Sequence, residues 1–89
     1  MGTKPFYGIW CQADKSYSEA ERYAQQMRDA GFSSARVFLT TDWSNLNPEP
    51  WYAVTAGVYG TEAEANSNLW SVKSVYGDAY VKYSGYFVG

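Results

Sequence analysis

One pattern occurs twice in this chain, and it restricts the fold more than any other feature. Residues 51–59, Trp-Tyr-Ala-Val-Thr-Ala-Gly-Val-Tyr, run into Gly60, Thr61 and then Glu62-Ala63-Glu64-Ala65. Aromatic and β-branched residues favour a strand in the first part. A cap residue followed by strong helix formers favours a helix in the second. Residues 6–11, Phe-Tyr-Gly-Ile-Trp-Cys, lead through a polar turn into Ser18-Glu19-Ala20-Glu21 in looser form. A strand–helix unit written twice in 89 residues leaves room for one small sheet, two helices and one core.

Between and after the two units the chain supplies two more strands. Strand 1 spans residues 6–13, with Phe6, Gly8, Trp10 and Gln12 on one face and Tyr7, Ile9, Cys11 and Ala13 on the other. Ser18 is placed to cap helix 1 with Glu21 as its capping-box partner; Ala20, Tyr23, Ala24 and Met27 form the apolar stripe, and Gly31 is the expected left-handed stop. Strand 2 covers residues 34–41, with Ala35, Val37 and Leu39 opposite Arg36, Phe38 and Thr40. Residues 42–50 form a loop rich in Asn, Ser and Pro that carries Trp43 with no element to bury it. Strand 3 starts at Trp51 and spans residues 51–57; Thr61 caps helix 2 with Glu64; Ala65, Leu69, Val72 and Tyr76 form its stripe, with Trp70 off that stripe at the helix flank. Strand 4 spans residues 78–84, and the tail 85–89 is apolar enough to pack somewhere.

The resulting order, β-α-β-β-α-β, gives an α+β, ferredoxin-like fold: a four-stranded antiparallel sheet with both helices on one face. The opposite face is then open, and the residues assigned to it are Phe6, Trp10, Gln12, Arg36, Phe38, Trp51, Thr55, Tyr80 and Lys82. The domain is expected over residues 6–84, preceded by leader residues 1–5. A strand so near Met1 suggests a domain cut from a longer protein.

Composition narrows the function. Aromatic residues make up 19% of the chain, more than so small a core readily hides, so surface aromatics are expected. The net charge is −2 and the seven basic residues are scattered, with no stripe to track a phosphate backbone or an anionic membrane. With no His and a single Cys, the chain offers no Cys/His zinc site, no Ser-His-Asp triad, no Cys-His pair and no internal disulfide. Asp14, Asp42, Glu49 and Asp78 fall in loops without pairing as a catalytic dyad. The Arg/Asn phosphate loop of acylphosphatase-like enzymes and the strand-3 Gly-Phe-Gly/Ala-Phe pattern of RNA-recognition modules are both missing. The reading is therefore non-catalytic, with no metal and no cofactor.

Residues 6–11, 18–31 and 51–66 with Leu69 following resemble the two halves of a SPOR domain, in the right order. Val54, Gly57 and Glu64-Ala65 match the family's recurrent valine–glycine–aromatic–Glu-Ala pattern, and the likeness extends over roughly residues 6–84. The resemblance implies a small βαββαβ module of bacterial envelope proteins that binds peptidoglycan, notably glycan strands stripped of stem peptides, through the open sheet face. By position Trp10 stands where the family often has an exposed Gln, with Gln12 beside it. Trp51 matches an exposed Trp at the start of strand 3, and Tyr80 an exposed apolar position of strand 4. Ala53 replaces an Arg found in some members, and residues 12–16 replace a small Gly-Ser or Gly-Ala turn.

Sugars present flat C–H faces and many hydroxyls, which aromatic planes and hydrogen-bonding side chains meet. The expected ligand-binding set is thus Trp10, Gln12, Arg36, Phe38, Trp51, Thr55, Tyr80 and Lys82, with sugar rings stacked on Trp10, Trp51 and Tyr80. The expected partner is the peptidoglycan glycan strand, in an extracytoplasmic, cell-envelope setting as part of a larger protein, with neither nucleic acid nor membrane contacted by this domain. The alternative is a protein–protein module whose aromatic sheet face forms a homodimer or partner interface.

Overall fold

The structure, a computed structural model, describes residues 4–89; the first three of the expected leader residues lie outside the described residues. Its elements are β1 (Tyr7–Asp14), α1 (Tyr17–Asp29), β2 (Arg36–Leu39), β3 (Tyr52–Tyr59), α2 (Glu62–Lys73) and β4 (Tyr80–Tyr83), with a 3-10 turn at Thr40–Asp42. All strand pairs are antiparallel and the sheet order is β2-β3-β1-β4. Each helix thus connects two strands that flank a third. Ala20, Ala24 and Met27 from α1 and Ala65 and Val72 from α2 bury against Ile9 and Val54, so both helices cover the same face. Ile9, Met27, Val54 and Val72 are fully withdrawn from water, worth about 1.5–3 kcal/mol each. The many alanines let the helices sit close to the strands.

The helix ends differ in how closely they follow the sequence reading. Gly31 adopts φ 108°, and Phe32 N–H reaches Met27 O while Gly31 N–H reaches Arg28 O, the double closure of a left-handed helix stop. Thr61 caps α2, its hydroxyl accepting from Glu64 N–H at 3.1 Å. The capping box expected at Ser18 and Glu21 does not form. Asp14 Oδ1 accepts Ser16 N–H at 2.8 Å, Ser16 becomes the cap position, and the helix starts earlier. The Glu21 carboxylate instead meets Arg28 at 2.8 Å, two turns along the same helical face.

A second cluster fills the face away from the helices. Phe6, Trp10, Trp43 and Ala53 are buried there, with Phe38, Leu46 and Val58 packed against them. Trp43, for which the sequence pattern offers no place, is the keystone of this layer: its ring lies edge-on to Phe6 at 5.0 Å, Phe38 at 5.9 Å and Phe87 at 5.3 Å. The chain reaches this arrangement because the β2–β3 loop crosses back over the sheet and the tail after β4 lies beside it, paired through a Trp43–Phe87 bridge. The aromatic face is therefore roofed over part of its area and open over the rest. Trp70 stands off the α2 stripe and is 82% exposed.

Candidate functional site

The uncovered part of the aromatic face is a groove of about 530 Å³, lined by β1, β4, the β2–β3 loop and the start of β3. Five of the expected residues come together around it: Trp10, Gln12, Trp51, Tyr80 and Lys82. Thr40, Leu46, Asn47 and Ala53 complete the wall and floor. No pattern in the sequence marks the loop residues, because their position depends on how the loop is folded over the sheet.

Local geometry explains each placement. The β1–β3 register slips twice, between Gly8 and Trp10 and between Trp10 and Gln12, so strict alternation fails in mid-strand. The consecutive residues Cys11, Gln12 and Ala13 consequently all reach the groove. Tyr80 pairs with Trp10 and Lys82 with Gly8 across the β1–β4 ladder, which sets both β4 side chains on the groove side. Trp51 is pinned by Thr40. The Thr40 amide donates to Trp51 O at 2.8 Å, and the Thr40 hydroxyl accepts from Trp51 N–H at 3.0 Å while donating to Glu49 O at 2.6 Å. Lys15 then lays its ammonium 4.5 Å from the centre of the Trp51 ring. That cation–π contact sets an ammonium with three N–H donors beside the indole. Lys15 was not among the expected residues; its place in the turn before α1 hid its proximity to Trp51.

Three expected residues are not available to a ligand in the groove. Thr55 is 0% exposed and its hydroxyl is consumed at the bulge, accepting from Ile9 N–H at 2.9 Å and donating to Gly57 O at 2.7 Å. A buried hydroxyl with its bonding filled by backbone cannot serve a sugar. Phe38 packs on Phe6, with ring centres 4.7 Å apart, and belongs to the roofed part of the face. Arg36 pairs with Thr55 at the other end of β2 and does not line the groove.

Trp10 lines the groove but not as a stacking platform. It is only 4% exposed, its ring sits among Phe6 and Phe38, and its indole N–H donates to Lys82 O at 3.1 Å. The ring lies over Gly8, where a Cβ would come within 2.6 Å of it, so the glycine makes the space. Trp10 thus builds the floor and ties β1 to β4. Tyr80, 55% exposed, and Trp51, half-buried, are the aromatic surfaces left for a ligand.

The lining carries one charged side chain, that of Lys82, and no carboxylate. Burial pushes the Cys11 thiol up to about 11, against a smaller opposing effect from a hydrogen bond with the Ala56 backbone, so it stays protonated at neutral pH. Among the described residues no group of His, Cys, Asp and Glu is placed to hold a metal ion.

A groove with aromatic planes, amides and an ammonium, on the helix-free face of a ferredoxin-like sheet, is the setting for one comparison. The family model described as SPOR domain matches residues 4–83. The chain belongs to the SPOR domain family. Domains of this family bind peptidoglycan, are associated with cell division, are not catalytic and occur in cell-envelope proteins. No curated protein and no solved structure matches the chain. No helix among the described residues is long and apolar enough to cross a membrane.

Proposed function

We propose that this SPOR domain binds peptidoglycan glycan strands in the groove between Trp51 and Tyr80, and so recruits a larger cell-envelope protein to wall stripped of stem peptides. The observation that carries the reading is the convergence of Trp51, Tyr80, Gln12, Asn47 and Lys82 on one groove in a member of a peptidoglycan-binding family. Trp51 and Tyr80 receive the C–H faces of sugar rings. Gln12 and Asn47 exchange hydrogen bonds with hydroxyl and acetamido groups. Lys82 and Lys15 supply ammonium donors.

Covering half a Trp face removes on the order of 75–100 Å² from water, about 2 kcal/mol before the entropy of binding is subtracted. Two such surfaces support binding in the micromolar-to-millimolar range at a single site. A polymer with repeated sites, met by several copies of the parent protein, turns weak contacts into stable retention.

The alternative, a homodimer through the aromatic face, loses much of its basis. Phe6 and Trp10, two of the aromatics that reading relied on, are packed with Trp43 within the protomer itself, although Tyr80, Tyr86, Phe87 and Val88 remain exposed.

The test is co-sedimentation with purified, amidase-treated sacculi, comparing the natural sequence with Trp51→Ala and checking the fold by circular dichroism. Pelleting of the natural sequence and loss in the folded variant is expected. Equal pelleting of both, or of neither, would sink the assignment to this groove.

A further inference from the structure

The tail after β4 lies beyond the family match, which ends at residue 83. We infer that this tail is a positioning strap: it holds the β2–β3 loop in place as the groove wall and thereby sets how tightly the groove grips its ligand. The inference rests on the glycan reading of the groove and extends it to residues that do not line it.

The loop and the strap are joined nearly residue by residue. Ser44 N–H donates to Tyr86 O at 2.9 Å, Asn45 N–H to Ser84 O at 3.1 Å, and Val88 N–H to Asp42 O at 2.7 Å. Side chains close the remaining gaps. The Asn45 amide donates to Tyr83 O at 2.8 Å, and the Ser44 hydroxyl accepts Tyr86 N–H at 2.8 Å. Phe87 lays its ring against Trp43 at 5.3 Å and 69°. The next two residues along the loop, Leu46 and Asn47, are groove wall. The far end of the loop is fastened separately through Thr40 and Trp51. Without the strap, the half that carries Leu46 and Asn47 keeps the packing of Trp43 and Leu46 on the outer cluster but loses the backbone partners of Ser44 and Asn45. A loop freed in this way must be reordered when ligand binds, and that cost appears as lost affinity.

Gly85 shows how closely the two segments fit. It adopts φ 77°, and a Cβ there would come within 2.6 Å of Asn45 N besides striking Ser44 Oγ. An alanine at this site therefore pushes the strap off the loop by two routes, backbone strain and direct collision.

The experiment compares Phe87→Ala, Gly85→Ala and the rescue variant Phe87→Tyr in the full chain. Amide hydrogen exchange at Ser44 and Asn45 reports the loop, and titration with soluble, stem-peptide-free glycan reports the groove. Expected are faster exchange and binding weaker by about tenfold in both disruptive variants, with Phe87→Tyr restoring both because it keeps the ring. Unchanged exchange overturns the strap. Faster exchange with unchanged affinity overturns its role in the site. A uniform loss of protection in one variant marks global unfolding, and the other variant and the Tyr rescue then decide the matter. If the natural sequence itself binds no glycan, the functional reading falls and takes the strap's role with it.

Discussion

Replacing Trp43 by alanine is the sharpest perturbation of the layer that shapes the groove. Trp43 is buried and touches Phe6, Phe38 and Phe87, each ring meeting it edge-on. Removing an indole from such a site leaves a cavity as well as forfeiting its transfer energy, together about 3–5 kcal/mol. A domain of this size holds roughly 5–15 kcal/mol in total, so the loss takes a large share of the whole. At the low end, about 3 kcal/mol lowers the midpoint of thermal unfolding by roughly 12–24 °C. The natural comparison is Trp70→Ala: the same chemical deletion at a residue 82% exposed, expected within about 0.5 kcal/mol of neutral. Thermal unfolding of the two variants side by side, followed by circular dichroism, makes the measurement. A small shift for Trp43→Ala, or equal shifts for both, would refute the claim that the outer face is a second packed layer.

Three further outcomes follow from single contacts. Thr61→Ala removes the side-chain cap of α2 and is expected to cost about 1 kcal/mol, read from urea unfolding, whereas Ser18→Ala, at a position that caps nothing, is expected to leave stability nearly unchanged. Cys11 should resist a disulfide reagent at pH 8 in the folded protein and react readily in denaturant. Its folded pKa of about 11 lies above the ordinary 9.0, so its contribution to stability is complete below pH 9 and is lost as pH rises from there through 11. A thiol equally reactive in both states would contradict its burial. Lys82→Gln should weaken binding to stem-peptide-free glycan severalfold and flatten the salt dependence, since removal of the peptides leaves carboxylates on the sugars; an unchanged salt slope would remove Lys82 from the site.

Several levels of this molecule were legible in the sequence. The two strand–helix units, the Thr61 cap and the Gly31 stop follow from local propensity and turn chemistry, and local rules are enough to read them. Tyr80, Gln12 and Lys82 were legible because each sits on a strand whose alternation points to the helix-free face, and Trp51, which the structure leaves just before β3, was legible through its likeness to a family motif. Thr55 was misplaced for a physical reason: the double register slip in β1–β3 turns its hydroxyl onto backbone groups, and a bulge leaves no mark in a hydrophobic pattern. Trp10 was assigned to the right face but to the wrong side of the boundary between core and surface. The roof that buries it comes from a loop and a tail far away in sequence. Glu21 shows how a shifted helix start undoes a local rule: with Ser16 rather than Ser18 at the cap position, its carboxylate no longer faces the helix end and pairs with Arg28 instead. Lys15, Leu46 and Asn47 owe their positions to tertiary contacts alone.

The most direct measurement of the central claim uses the four indole N–H signals as reporters in a ¹H–¹⁵N spectrum, one for each Trp. The protein is titrated with stem-peptide-free glycan fragments. If the groove is the glycan site, the Trp51 signal shifts most, Trp10 follows as a residue of the floor, and Trp70, on the outer flank of α2, stays where it is. A shift at Trp70 with Trp51 unmoved would place the ligand elsewhere and contradict the account.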